Sequence, residues 1–109
     1  MAINQEIATE QYQIAVDALM DVAQDYETSD EAAEIALDAA NHLTLEYIDS
    51  VINDINKLNK QYKTFINYME TIIGDLENSF VDDALIVPLQ KGLAKAKKQK
   101  IPTPVRKTK

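Results

Sequence analysis

Apolar residues recur along the first part of the chain at alternating spacings of four and three. Such spacing places them on one face of an α-helix that packs against a core. The pattern predicts a first helix over about residues 4–26. Its stripe consists of Ala8, Tyr12, Ala15, Leu19, Val22 and Tyr26, widened by Val16 and Ala23.

The stretch ETSDEA, residues 27–32, predicts a stop followed by a new helix. Thr28 and Glu31 have the spacing of a capping box, in which two side chains bind free backbone amides at a helix start. The carboxylates of Asp30, Glu31 and Glu34 also suit the positive end of a helix dipole. We therefore expect a second helix to begin near residue 29 or 30.

A longer apolar pattern, called here the central stripe, keeps the same alternation for more than four heptads. Its members are Thr44, Ile48, Val51, Ile55, Leu58, Tyr62, Phe65, Met69, Ile72 and Leu76. An inserted loop would normally reset this register. The pattern therefore favours one continuous or gently bent helix over about residues 30–77.

Three asparagines, Asn53, Asn56 and Asn59, weaken this prediction because each costs about 0.5 kcal/mol in a helix relative to alanine. In the heptad register all three fall on or beside the polar face, where they remove no core contact. A turn near residues 54–60 is the alternative.

The C-terminal third has weaker helix signals. Gly74 and the stretch ENS weaken the helix, Ser79 can cap a new one, and Pro88 suits a first turn or a kink. We expect two short helical pieces, FVDDALIV (80–87) and PLQKGLAKAKKQ (88–99). The closely spaced prolines and cations of IPTPVRKTK predict an extended tail. The division is a single helical domain over 1–97 and a basic, proline-containing tail over 98–109.

These elements predict an all-α protein, an elongated helical bundle or coiled coil with one long central helix. The 109 residues include only two glycines and three prolines, which agrees with long helices. The flanking residues Tyr47, Ile52, Ile66, Tyr68 and Ile73 widen the central stripe beyond what one short partner helix covers. We therefore expect a homo-oligomer, with an interface formed by Ile48, Val51, Ile55, Leu58, Tyr62, Phe65, Met69 and Ile72.

Charge is strongly segregated along the chain. Residues 1–56 contain thirteen acidic residues and no lysine or arginine, whereas residues 91–109 contain eight basic residues and no acid. The acidic residues are Glu6, Glu10, Asp17, Asp21, Asp25, Glu27, Asp30, Glu31, Glu34, Asp38, Glu46, Asp49 and Asp54. The basic residues at this end, in and just before the tail, are Lys91, Lys95, Lys97, Lys98, Lys100, Arg106, Lys107 and Lys109. This separation favours contacts between the basic end of one molecule and the acidic front of another.

The sequence offers little chemistry beyond charge. There is no cysteine and one histidine. His42 lies in AANHLTLE, a stretch that resembles the histidine site of phosphotransfer helical bundles. The motif of that family has lysine three and glycine four residues after the histidine. Leu45 and Glu46 occupy those two positions in this chain.

The acidic residues from Asp25 onward resemble a calcium-binding loop. The glycine that such a loop needs at position six is Asp30 here, and the glutamate that it needs at position twelve is Ala36. We predict no enzyme activity, no cofactor and no metal site.

The preferred function is a non-enzymatic adaptor or scaffold that self-associates and binds a protein partner. The N-terminus lacks a basic segment followed by an apolar run, and no apolar stretch reaches membrane-spanning length, so a cytoplasmic protein without a membrane is expected. Nucleic acid is disfavoured as the main target because the acidic residues repel phosphates. The alternative is an inhibitor that mimics nucleic acid and binds a DNA- or RNA-binding protein through its carboxylates.

Overall fold

The computed structural model describes residues 5–50, 54–79 and 81–99, and over these ranges the protein is helical without a strand. Helix α1 spans Gln5–Gln24, α2 spans Asp30–Leu43, and a π-helical turn over Thr44–Ile48 continues α2. Helix α3 spans Ile55–Glu77 and α4 spans Asp83–Lys98. The predicted all-α class is confirmed.

Three of the helices begin at side-chain caps. Ser29 Oγ accepts a hydrogen bond from the Ala32 amide at 3.2 Å, Asp54 Oδ1 from the Asn56 amide at 2.8 Å, and Asp82 Oδ1 from the Ala84 amide at 2.9 Å. Such caps satisfy amides that have no partner inside the helix. The predicted start of α2 is confirmed, but its cap is Ser29 rather than Thr28, whose side chain is buried.

The predicted continuous helix over residues 30–77 is wrong. Residues 49, 50 and 54 are not helical, and Asp54 has an extended backbone with φ −81° and ψ 117°. Ring contacts show that the chain reverses direction here: Tyr47 lies 6.0 Å from Phe65, whereas the earlier His42 lies 4.8 Å from the later Tyr68. Helices α2 and α3 are therefore antiparallel.

The stripe was misleading because it joined two helices that bury different sets of residues. In α2 the buried face consists mainly of alanines and ends at Leu43, followed by Tyr47 in the π-helical turn. In α3 the buried face begins at Leu58, while Ile55 is 43% exposed. The alternative prediction, a turn near residues 54–60, was closer to the structure, but the chain is already helical from residue 55. Of the asparagines, Asn56 is exposed, Asn59 is buried against expectation, and Asn53 lies outside the described residues.

Two smaller predictions also need correction. Helix α1 ends at Gln24, so Tyr26 lies in the turn before α2 and is 93% exposed instead of joining the stripe. The two predicted C-terminal pieces are one helix, α4, which contains Pro88 and is capped by Asp82 rather than Ser79. Pro88 is the sixth residue of α4, beyond the first turn, so it removes one backbone hydrogen bond inside the helix. The tail beyond Gln99 lies outside the described residues.

Helix α1 holds the fold together because it contacts each of the other three helices, α2 most extensively and then α4. The buried residues of the helices form one core, and the Cα extents of the molecule are 55 × 22 × 18 Å. Tyr12 lies at its centre, with its ring centroid 4.7 Å from that of Phe65 and 5.2 Å from that of Tyr47. At the packing point of α1 on α4, a Cβ on Gly92 would approach Ile14 Cγ2 to 3.3 Å, so glycine permits this close approach.

Candidate interaction surfaces

Most residues predicted to form an oligomer interface lie in the core of the single chain. Leu58, Tyr62, Phe65 and Met69 are at most 2% exposed, and Ile48 and Ile72 pack partly buried against the same core. Ile55 is largely exposed, and Val51 lies outside the described residues. The flanking Tyr47 and Ile73 are also buried. The chain thus covers with its own helices the apolar surface on which the predicted oligomer was based.

Buried tyrosine hydroxyls connect the helices across the core. Tyr12 donates to Gln61 Oε1 at 3.1 Å, and Gln61 Nε2 donates at 3.4 Å to the carbonyl of Glu46 in the π-helical turn. Tyr62 donates to the Ala96 carbonyl at 2.8 Å and joins α3 to α4. These bonds give the tyrosines a structural role. The linking role of Gln61 left no signal in the sequence, since its partners are 15 and 49 residues away.

Burial raises the pKa of several tyrosines above the ordinary value of 10.0. For Tyr62, burial raises the pKa to about 12. The pKa of Tyr12 is raised by burial and by the neighbouring Tyr47 and Tyr62, and that of Tyr47 by burial and Glu46. That of Tyr68 is raised by burial, Tyr47 and Asp38. The folded state therefore favours the neutral phenol at each position.

Alkaline pH is expected to destabilise the fold. Below about pH 10 these phenols are neutral in both the folded and the unfolded chain, so their contribution to the free energy of unfolding is fully present. As the pH rises from about 10 towards 12, the phenols of the unfolded chain ionise first, and the free energy of unfolding falls. Urea unfolding followed by circular dichroism across this range tests the expectation. Tyr62→Phe should reduce the pH dependence, because it removes a phenol whose pKa burial raises. A free energy of unfolding that stays constant up to pH 12 would contradict it.

The exposed face of α1 carries a row of carboxylates, named here the acidic ridge: Glu6, Glu10, Asp17 and Asp21. They are spaced by four, seven and four residues, which places them along one side of the helix, opposite the residues that pack into the core. Gln13, on the same side, donates from Nε2 to Asp17 Oδ1 at 3.0 Å. The core fixes this orientation, because rotating α1 would bury the carboxylates.

Helix α2 adds a second set of exposed carboxylates beside the first. Asp30, Glu31, Glu34 and Asp38 are all exposed, and the first two lie in the first turn, where the helix dipole favours negative charge. The turn before α2 contributes Glu27. Within the described part of the chain none of these acids forms an ion pair, since the one ion pair there joins Lys97 to Glu70.

Lysines occupy the opposite pair of helices. On α4 the side chains of Lys91, Lys95 and Lys98 are exposed at spacings of four and three, and we call them the lysine ridge. Lys97 points towards α3, where its Nζ lies 2.6 Å from Glu70 Oε2. Lys57, Lys60 and Lys63 are exposed on the first half of α3. The other predicted basic residues, Lys100, Arg106, Lys107 and Lys109, lie outside the described residues.

His42 lies at the end of α2 in contact with aromatic rings. Its ring centroid is 4.8 Å from that of Tyr68 and 5.7 Å from that of Tyr47. The predicted absence of a phosphotransfer site remains a prediction, as does the absence of a calcium site. Over the residues described, no group of three or more His, Cys, Asp or Glu side chains could hold a metal ion.

Hollows between the described helices include a small cavity and a more open groove. A cavity of about 10 Å³, the size of one water, lies between α1, α3 and α4 beside the buried Gln11. A more open groove of about 340 Å³ lies between α3 and α4, lined by Glu70, Ile73, Gln90, Leu93, Ala94 and Lys97. The cavity is too small for an organic ligand. The groove places the ion pair of Lys97 and Glu70 beside apolar side chains such as Leu93.

Comparison with known proteins adds no functional information. The sequence matches no protein-family model and no curated protein, and the structure matches no solved structure. Separately, none of the helices within 5–50, 54–79 and 81–99 is long and apolar enough to cross a membrane.

Proposed function

We propose that the protein is a non-enzymatic interaction protein, a self-associating adaptor or scaffold that recognises partners through charge. The observation that supports this most is the segregation of charge onto different helices. Exposed carboxylates cover α1 and α2, which contain no lysine or arginine. Exposed lysines lie on the first half of α3 and along α4, while the exposed acids Glu70, Asp75 and Glu77 lie on the second half of α3 and Asp83 begins α4. One internal ion pair is formed within the described ranges. A folded surface that keeps opposite charges apart is electrostatically complementary to a second copy of itself.

The buried core implies that self-association would not occur through the apolar residues predicted from the sequence. Because Leu58, Tyr62, Phe65 and Met69 are buried by the chain itself, they are available to a second copy only after unfolding. The exposed large apolar residues within the described ranges are Tyr26, Leu37, Leu45, Ile55 and Val87. The proposal therefore assigns recognition to the charged exterior and stability to the core.

Sedimentation velocity over a series of protein concentrations tests the proposal. In about 0.1 M salt, where charges act over about 10 Å, we expect the average mass to increase with concentration. In about 1 M salt, where the range falls to about 3 Å, we expect the monomer. A wild-type chain that stays monomeric at every concentration and salt would contradict self-association. Association that strengthens with salt would instead indicate an apolar interface.

A second candidate function is an inhibitor that mimics nucleic acid. The specific observation is that the carboxylates of α1 and α2 lie exposed on adjacent helices and form no ion pair with any residue that the structure describes. Two such rows resemble a phosphate array presented to a basic groove. Immobilised protein should then retain a DNA- or RNA-binding protein that is released by competing duplex DNA. Retention that duplex DNA does not reverse would contradict mimicry.

A further inference from the structure

The lysine ridge of α4 has features that the fold does not require. Lys91, Lys95 and Lys98 are exposed, and no acidic residue of the described ranges lies within 4.0 Å of them. Lys97, next to Lys98, is paired with Glu70. Cations in the last turn of a helix interact favourably with its dipole, which gives Lys95 and Lys98 a local role. Lys91 lies outside that last turn. The ridge as a whole therefore presents positive charge that no contact within the described chain uses.

We propose that the lysine ridge docks on α1 of a second copy of this chain. The spacing of charges supports this occupant. Lys91 and Lys98 are seven residues apart, and so are Glu10 and Asp17 of the acidic ridge. Seven residues are two helical turns, about 10 Å, so both end pairs can form at once when two helices lie side by side. This proposal rests on the proposed function, since it assigns the surfaces through which self-association occurs.

The same pairing is not made inside one molecule. Helices α1 and α4 are neighbours, yet no ion pair joins them across the described residues. Both ridges face outward, away from the core that the two helices share. Because the ridges are different surfaces, a contact between two copies leaves one free acidic ridge and one free lysine ridge, so assembly continues head to tail into a ring or a filament.

Charge reversal on each ridge provides a matched pair of variants. The variant K91E/K95E/K98E presents acid on both ridges, and the variant E10K/D17K/D21K presents lysine on both. Each alone should lose self-association by about tenfold or more, because exposed ion pairs are replaced by like charges. Mixed together, the two variants should associate again, since the reversed α4 of one now complements the reversed α1 of the other.

A third variant, K57E/K60E/K63E, has the same change in net charge as the α4 variant but places it on α3. It should keep wild-type self-association. Far-UV circular dichroism checks that each variant is folded, and K91Q/K95Q/K98Q replaces the reversal if glutamates unfold α4. All variants are compared by sedimentation velocity in about 0.1 M salt.

The outcomes separate this proposal from the broader function. If the wild type self-associates and the α4 variant does so equally well, the lysine ridge is not the interface, although self-association stands. Failure of the mixture to associate would likewise overturn the pairing with α1. A wild-type chain that never associates overturns the ridge contact together with the proposed function. If the wild type does not self-associate but binds duplex DNA or anionic vesicles, and the α4 variant loses that binding, the lysine ridge binds a different partner and the contact with α1 is overturned.

Discussion

Replacing Leu58 with aspartate is expected to unfold the single chain rather than to dissociate folded subunits. Leu58 is 2% exposed, lies one turn inside α3 and belongs to the core shared by all four helices. A carboxylate buried without a partner costs about 3–5 kcal/mol, which is a large part of the stability of a small domain. Urea unfolding of the variant should show little or no folded baseline at any protein concentration.

Ile55→Asp is the matched control for this experiment. Ile55 belongs to the same central stripe but is 43% exposed at the first position of α3. An acidic residue there is favoured by the helix dipole, so the variant should remain folded with a free energy of unfolding close to that of wild type. If the central stripe were an oligomer interface, both substitutions would instead yield folded monomers. Finding a folded monomeric Leu58→Asp variant would contradict our assignment.

The spacing of apolar residues predicted individual helices well but not the way they pack together. The four-three spacing of Ala8, Tyr12, Ala15 and Leu19 identified α1 correctly, because all of them pack on one side against a core. Within α3 the same rule correctly grouped Leu58, Tyr62, Phe65 and Met69. A spacing rule reports which residues share a face of a helix. It does not report whether the partner surface belongs to the same chain.

The sequence favoured a continuous helix over a break between α2 and α3 because the signals of the break are short and polar. Asp54 caps α3 through hydrogen bonds from the amides of Asn56 and Lys57, yet a single aspartate before an apolar stripe also fits a helix surface. Upstream, the buried face of α2 consists of Ala32, Ala36, Ala39 and Ala40, which give a weak apolar signal beside isoleucine and leucine. The register of the larger residues therefore seemed to continue through the turn.

The sequence predicts which segments of the chain are acidic and which are basic, but not where these segments lie on the folded surface. The sequence shows that residues 1–56 lack lysine and arginine and that residues 91–109 lack acid. Only the packing of α1 between α2 and α4 places the acidic ridge and the lysine ridge on adjacent helices of one molecule. Whether a lysine is paired also depends on side chains that are distant in sequence. Lys97 pairs with Glu70, whereas Lys91, Lys95 and Lys98 pair with no carboxylate of the described residues.

Proline at residue 55 is expected to be tolerated, whereas proline at residue 60 is expected to disrupt the fold. Ile55 is the first residue of α3, a position that favours proline because its amide has no partner inside the helix. Asp54 already has the extended backbone that a following proline requires. Ile55→Pro should therefore change the free energy of unfolding by less than about 1 kcal/mol relative to Ile55→Ala.

Lys60 is the sixth residue of the same helix and its side chain is exposed, so replacing it with proline removes no core side chain. The ring would delete an interior backbone hydrogen bond and clash with the carbonyl of Asn56, at a cost of about 3 kcal/mol or more relative to Lys60→Ala. Urea unfolding of the four variants gives both differences. A helix that ran unbroken through residues 48–60 would make the two prolines similarly destructive. Equal losses at residues 55 and 60 would therefore contradict the start of α3 at Ile55, and a large loss at residue 60 alone would support it.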